Sequence, residues 1–292
     1  MTDCRRLSFE FFPPKTAPGF AKLEVTRSEL AHLRPEFFSV TYGAGGSTRE
    51  HTRNAVLATR AAGCAVAPHL SFGDDDQDSV LQLLQDYRDA GIDRIVALRG
   101  DLPSGSGMTR MVYASELVAF IRQHFGQQFH LEVAAYPEIH PEARSYQSDL
   151  HYLKQKLDAG ADTVITQYFY NADAYCWFVE RCRAEGIRVP IYPGIMPITN
   201  YANLARFSAK CGAEIPRWMA RQLEGYGDDQ QSVIDFGIDT VSRLCERLLA
   251  EGAPGMHFYT MNQAEPTTTI CRNIGFQAQQ QTDKHAAAID DA

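Results

Sequence analysis

The apolar positions of this chain gather into eight short runs: Leu7 to Phe12, Phe37 to Tyr42, Ala65 to Phe72, Arg94 to Leu98, His130 to Tyr136, Thr163 to Tyr170, Val189 to Ile198 and Met256 to Thr260. None alternates strictly, which is the pattern of parallel strands covered on both faces. Between the runs lie amphipathic stretches with helix punctuation. Ser79 to Ala90 sets Val80, Leu83, Leu84 and Tyr87 on one face and stops at Gly91. The same ending recurs at Ala62-Gly63, Ala159-Gly160 and Glu185-Gly186, each followed within a few residues by the next run. This strand and helix rhythm, unbroken by any shift in composition, predicts an α/β fold: a single (β/α)8 TIM barrel over residues 1–276. An open sheet would need its edges covered by something else.

Two stretches depart from the rhythm. The seventh run carries Pro190, Pro193 and Pro197, which a central strand tolerates badly, so a short or bulged strand is expected there. The long helical pattern from Ile215 to Ala250 is interrupted around Gly225 to Asp229 and should form two helices. Residues 277–292 are polar and Ala-rich without periodicity and read as a flexible tail. No second domain is indicated.

Nearly every run ends in polar or ionisable residues: Glu10, Thr41, His69, Asp101, Tyr136, Gln167, Thr199 and Asn262. In a parallel barrel all strand C-termini lie at one face, so these residues should converge on one site.

Composition narrows the partners. The 292 residues carry 28 Lys plus Arg against 36 Asp plus Glu, a net charge of −8, with no basic stripe. That argues against nucleic acid or an anionic membrane as the main partner and requires a local basic pocket for any anionic ligand. The 7 cysteines form no CxxC pair and no metal-like spacing, as suits free thiols in a reducing compartment. The N-terminal apolar segment is too short for a signal peptide or a membrane span and is interrupted by Glu10, so a cytoplasmic location is expected.

Glu10 sits among Phe9, Phe11 and Phe12. It reads either as a salt-bridged carboxylate at the barrel mouth or as a general acid whose pKa is raised by aromatic neighbours that strip away water. Arg99-Gly100-Asp101 closes the fourth run, offering a guanidinium for a phosphate or carboxylate, a close backbone approach and a second carboxylate. The segment Gly43 to Ser47 lacks GxGxxG spacing and reads as a tight turn lining the mouth. His69 and His140, with carboxylates nearby, also permit a metal-dependent barrel hydrolase. Asp149 and Lys156 share a helix face, and Phe207 reads as a core residue. The aromatic residues near the strand ends suit a flat heteroaromatic ligand: flavin, nicotinamide or pterin.

The segments SFEFFPPKT, VTYGAGGSTRE, APHLSFG, LRGDLP, VAAYPEIHPEA, DLHYLKQKLDAGADTVITQYFY, PIYPGIMPITNY, IPRWM and GMHFYTMNQAE, in this order from about residue 7 to residue 276, resemble the bacterial methylenetetrahydrofolate reductase family. The resemblance implies a flavoprotein barrel in which FAD passes hydride from NAD(P)H to 5,10-methylenetetrahydrofolate in a ping-pong cycle, giving 5-methyltetrahydrofolate for methionine synthesis. It makes Glu10 the acid that protonates folate N10 and sets Asp101 beside the flavin. It assigns FAD contacts to Thr41, Tyr42, Ala44, His69, Arg99, Gly100, Asp101, Tyr113, Ala114, Ala134, Tyr136, His140, Asp149 and Lys156. Substrate contacts fall to Glu10, Gln167, Asn203, Phe207 and Gln263, which turns Phe207 from a core residue into a substrate-facing aromatic. No metal is implied, family habit in bacteria favours NADH, and family members commonly form homo-oligomers. The chain departs from the family at Gln263, where an Arg is common, at Tyr152, where a smaller amide is common, and at Asn203, where a longer amide is common. The larger eukaryotic relatives carry a C-terminal regulatory domain that binds S-adenosylmethionine, a control expected to be absent here.

Overall fold

A computed structural model describes residues 5–42, 49–72, 76–99 and 113–276. Eight parallel strands close into a barrel in sequence order: β1 (Arg6–Phe11), β2 (Phe37–Val40), β3 (Val66–Leu70), β4 (Arg94–Ala97), β5 (His130–Ala135), β6 (Thr163–Tyr168), β7 (Ile191–Ile195) and β8 (Gly255–Tyr259), with β8 pairing back to β1. Helices occupy the connections: α1 (Ala17–Ala31), α2 (Arg49–Ala61), α3 (Gln77–Asp89), α4 (Ala114–Phe125), α5 (Tyr146–Asp158), α6 (Ala172–Ala184), α7 (Tyr201–Cys211), α8 (Arg217–Tyr226), α9 (Gln230–Ala250) and α10 (Thr267–Asn273).

The period-two alternation of β1 sorts the chemistry. Leu7, Phe9 and Phe11 are buried in the main apolar cluster shared with the helices. Arg6, Ser8 and Glu10 point the other way, into the barrel, where they meet residues of β3, β5 and β8. Much of the barrel interior is therefore polar, with a small apolar layer of Phe37, Ala67, Val96 and Ile165 between its two ends. At the N-terminal end the fully buried Glu132 accepts from Arg6, from Arg94 at 2.5 Å and from Thr163, and Arg94 also reaches Glu36 at 2.6 Å. The guanidinium of Arg6 lies 4.3 Å from the ring centroid of Tyr192, and that of Arg94 lies 4.6 Å from that of Phe37. This charged plug closes the end opposite the strand C-termini.

The helix punctuation is realised as expected. Gly63, Gly91, Gly160 and Gly186 adopt φ of +81°, +74°, +114° and +81°, the left-handed conformation that ends a helix at little cost only in glycine. The Ile215 to Ala250 stretch divides into α8 and α9 at Gly227. The proline-bearing seventh run contributes only Ile191–Ile195, with a register irregularity against β6. Gly194 is required there: a Cβ would stand 2.1 Å from the Thr166 carbonyl oxygen and 2.6 Å from the Tyr259 ring. Its absence lets Tyr259 cross β7 and donate its hydroxyl to Thr166 O at 2.7 Å. The described cysteines are unpaired, and no described helix is long and apolar enough to cross a membrane. The 277–292 tail lies outside the described residues.

Candidate active site at the barrel mouth

Glu10 is the penultimate residue of β1 and faces inward among imidazoles. Its Oε2 is 3.2 Å from His69 Nε2, at the end of β3, and 3.4 Å from His257 Nε2, in β8. His257 is fully buried, and its Nδ1 shares a 2.8 Å hydrogen bond with Ser8 Oγ. The β1–β8 register sets Ser8 opposite His257 and Glu10 opposite Tyr259, so Ser8, His257 and Glu10 form one hydrogen-bonded chain across two strands, and His69 of β3 stands within ion-pairing distance of the same carboxylate.

Of the two readings of Glu10, this arrangement fits the salt-bridged carboxylate and not the carboxyl raised by aromatic neighbours. Burial does push its carboxyl up, but the charge of His69 and the hydrogen bonds from His257 and His69 outweigh it and hold the pKa at about 2, below the ordinary 4.5. Of the aromatic neighbours that the sequence shows beside Glu10, Phe9 and Phe11 point into the outer core, where Phe9 packs on Phe38 and Phe258, and Phe12 is exposed. A basic pair, rather than an apolar pocket, faces the carboxylate. Strand ends reveal His69 but not His257: Ser8 and His257 lie two residues before Glu10 and Tyr259, and the usable signal is period-two alternation carried inward from those two residues.

The mouth has a second cationic component along α5. Lys156 donates from Nζ to the Ala134 carbonyl at 2.5 Å. Burial lowers its pKa to about 8, although Asp149 opposes the shift. Asp149 accepts the His140 N–H at 2.8 Å, and the His140 ring packs edge-on to Tyr136 with centroids 4.5 Å apart and accepts the Glu142 N–H on Nδ1. Tyr136, His140, Asp149 and Lys156 are thereby tied to one another around the β5 exit. Arg99, at the β4 exit, pairs with Glu142 at 2.6 Å. At the β2 exit the hydroxyl of Thr41 is buried without a hydrogen-bond partner, and Tyr42 follows it. Tyr113 precedes Ala114 at the start of α4, and its ring lies parallel to that of Tyr152.

On the opposite side, Gln167 borders a small recess with Tyr136, Glu138, Cys211 and Gly212, and its Oε1 accepts the Tyr168 N–H. Phe207 on α7 is 36% exposed, so it is not a core residue; the Arg206 guanidinium lies 5.5 Å from its ring centroid. Asn203 is exposed one turn earlier and accepts from Arg206 at 3.0 Å, and Gln263 is exposed beyond β8. Asn262 is engaged structurally: its side-chain amide makes two hydrogen bonds to the backbone of Phe12, at 3.0 and 2.8 Å. Thr199 offers its carbonyl to Gln230. Ala44, Gly100 and Asp101 lie outside the described residues.

The alternative of a metal-dependent hydrolase is not supported. His69 is turned to Glu10 and His140 to Glu142 and Tyr136, so the two histidines serve different clusters. Among the described residues no group of three or more His, Cys, Asp and Glu is disposed to hold a metal ion.

Comparison with known proteins bears on the same region. Residues 2–275 match the family model described as methylenetetrahydrofolate reductase. The chain is 42% identical over 270 residues to a 5,10-methylenetetrahydrofolate reductase of Escherichia coli, covering 92% of this chain and 90% of that one. It is 38% identical to methylenetetrahydrofolate reductase (NADH) 1 of Arabidopsis thaliana, of which it spans 48%. A solved protein from Clostridium thermocellum, described as binding two copies of 5-methyl-5,6,7,8-tetrahydrofolic acid, shares the fold with a TM-score of 0.64 at 17% identity, each chain covered over 93%. A barrel whose mouth gathers one carboxylate, two imidazoles and a half-buried lysine, and whose sequence matches over nearly its whole length, belongs to the methylenetetrahydrofolate reductase family.

Proposed function

We propose that the chain reduces 5,10-methylenetetrahydrofolate to 5-methyltetrahydrofolate, with bound FAD as hydride carrier and NAD(P)H, NADH in the first instance, as donor. The observation that carries this reading is the Glu10 carboxylate, held by two imidazoles at the mouth of a barrel of this family.

The residues present fit a flavin dinucleotide. Thr41 Oγ1 is a buried hydroxyl without a partner, and Lys156 places an ammonium beside the β5 exit of a chain that is acidic overall. Thr41, His69, Tyr136 and Lys156 would hold the group, together with Tyr42, Arg99, Tyr113, Ala114, Ala134, His140 and Asp149. The group's chemistry is hydride transfer, from nicotinamide in one half-reaction and to the folate in the other.

Glu10 serves the folate half-reaction. Opening the five-membered ring requires a proton at folate N10, and Glu10 Oε2 is the group that delivers it. A carboxyl with a pKa of about 2 is protonated only about once in 10⁵ at neutral pH, so it is a poor proton store by itself. His69 and His257, whose Nε2 atoms face Oε2 at 3.2 and 3.4 Å, are the groups through which a proton can reach it. Ser8, bonded to His257 Nδ1, orients the ring so that Nε2 faces Glu10. Gln167 offers an amide to the pterin, and Phe207 an exposed ring to pterin and nicotinamide in turn, which supports a ping-pong order. Asp101 enters only through the family resemblance, as a second carboxylate favouring the cationic folate.

Two half-reactions test the reading. The purified protein should be yellow, NADH should bleach it, and methylenetetrahydrofolate should restore the colour. In Glu10→Gln, stopped-flow bleaching by NADH should stay within a few-fold of wild type, while reoxidation by the folate falls at least ~10²-fold, the usual weight of a general acid. Equal losses in both phases would make Glu10 a structural residue, and a colourless protein that never takes up flavin would sink the proposal.

A further inference from the structure

Beyond their last paired residues, β1 and β8 are joined by a side chain. Regular pairing ends with Glu10 opposite Tyr259. Pro13 and Pro14 follow Phe12, so neither of the next two residues has an N–H with which to carry the ladder on. At that point Asn262 takes the place of a strand partner. Its Oδ1 accepts the Phe12 N–H at 3.0 Å, and its Nδ2 donates to the Phe12 carbonyl at 2.8 Å. Among side chains only an amide pairs a donor and an acceptor in the manner of a peptide unit.

The backbone behind this clasp is held in an unusual shape. Met261 and Asn262 adopt φ of +53° and +56°, left-handed values that persist in non-glycine residues only where the surroundings over-determine them. The surroundings here do so. The Asn262 N–H donates to Thr260 Oγ1 at 3.2 Å, its carbonyl accepts from the buried Thr26 hydroxyl at 3.3 Å, and the Gln263 N–H returns to the Thr260 carbonyl at 3.0 Å. Thr260, itself buried, passes the constraint to the acid. Its hydroxyl donates to the Glu10 carbonyl at 2.7 Å and its N–H to the same oxygen at 3.3 Å. The β8 exit therefore grips β1 at Glu10 through Thr260 and again at Phe12 through Asn262.

We propose that Asn262 is a positioning residue for the folate half-reaction: its clasp holds the β1 and β8 exits so that the Glu10 carboxylate stays on His257. The inference rests on Glu10 as the folate acid and goes beyond it by naming the residue that sets its place. The Glu10 to His257 separation of 3.4 Å is near the outer limit of a hydrogen bond, so a small loosening of the seam breaks it. His69 approaches from β3, across no part of this seam. Without the clasp the carboxylate keeps one imidazole and loses the other.

A double-mutant cycle on the two half-reactions tests this. Asn262→Gly admits the left-handed backbone without steric cost and removes the clasp. Reoxidation by methylenetetrahydrofolate should fall about ten- to a hundredfold, the effect of misplacing a reacting group by up to ~1 Å. Bleaching by NADH should stay within a few-fold of wild type, which also shows that the barrel is intact. In the Glu10→Gln background the same substitution should cost no more than about twofold, because the group it positions is gone. Asn262→Asp keeps the acceptor for the Phe12 N–H and loses the donor, so it should show a smaller loss of the same kind, and it completes the cycle where the glycine variant does not fold. Wild-type reoxidation in both Asn262 variants overturns the inference. Equal losses in both half-reactions also overturn it, as a general disturbance of the barrel, and so do losses that multiply with those of Glu10→Gln, since Asn262 would then act elsewhere. Glu10→Gln alone reports on the acid: equal losses in its two phases remove the folate acid and this inference with it.

Discussion

Among single residues, His257 shows how strand geometry decides chemistry. The sequence makes Glu10 legible as a site residue because it ends an apolar run beside two prolines, yet its electrostatic setting comes from His69 on β3 first and then from His257 on β8, 247 positions away. Linear neighbours suggested desolvation, and barrel closure sets two imidazoles against it. The consequence can be tested with His257→Asn. Removing that imidazole deletes a hydrogen bond and a charge that lower the Glu10 carboxyl, so its pKa should rise. In pH profiles of the folate half-reaction, the limb that falls as Glu10 loses its proton should move to higher pH relative to wild type, while NADH bleaching keeps its profile. An unmoved inflection would mean that His257 only packs the barrel. A similar logic separates Phe207, which looks apolar and therefore internal in sequence, from its exposed place on α7 beside Arg206. Nothing in the helical spacing alone distinguishes the two outcomes, because one face of a surface helix at a barrel mouth can be open without breaking its amphipathic period.

Elements were more legible than contacts. The eight apolar runs became the eight strands, with ends displaced by only a few residues, because parallel strands buried on both faces need continuous apolar chain bounded by polar turns. The largest contraction is at β7, where prolines limit ladder bonding and Gly194 admits the Tyr259 ring. Gly194→Ala should therefore cost about 1–3 kcal/mol or more by overpacking. Its melting temperature should fall by several degrees, and recovery in a Gly194→Ala, Tyr259→Phe double variant would be at most partial, since the backbone clash with Thr166 O persists. Helix α5 carries a second prediction. The Lys156 pKa of about 8 lies below its ordinary 10.5. An anionic diphosphate favours the ammonium, so binding it takes up a proton once the pH exceeds about 8. FAD affinity should accordingly fall as pH rises from 8 toward 10, reported by dissociation constants from flavin absorbance. In Lys156→Met affinity should be weaker throughout and that limb of the pH dependence lost.

The whole molecule divides its interior between two charged ends. Reactive groups sit at the strand C-termini, and a plug of Arg6, Arg94, Glu132 and Glu36 fills the other end, separated from them by a thin apolar layer. A barrel can bury an acid at each end only if each has cations converging from several strands, which no single segment of sequence displays. Glu132 illustrates the cost and its compensation. Burial raises its carboxyl, but Arg6, Arg94 and the Thr163 hydroxyl outweigh that and keep its pKa below the ordinary value. A carboxyl with a depressed folded-state pKa stabilises the fold above its unfolded pKa of about 4.3. That contribution is lost as the pH falls through the lower folded value. Glu132→Gln removes the charge and leaves two guanidinium groups facing a neutral amide in the interior, so unfolding free energy at pH 7 should drop by about 3–5 kcal/mol. Urea midpoints measured from pH 7 down to pH 3 should show a steep acid loss in wild type and a flatter one in the variant, because the titrating group is gone. If the two curves ran parallel, the acid sensitivity would belong to other carboxylates and the plug would be electrostatically neutral for folding. Since the plug lies at the end remote from Glu10, flavin reduction by NADH in folded Glu132→Gln should match wild type, and the loss should appear in stability alone.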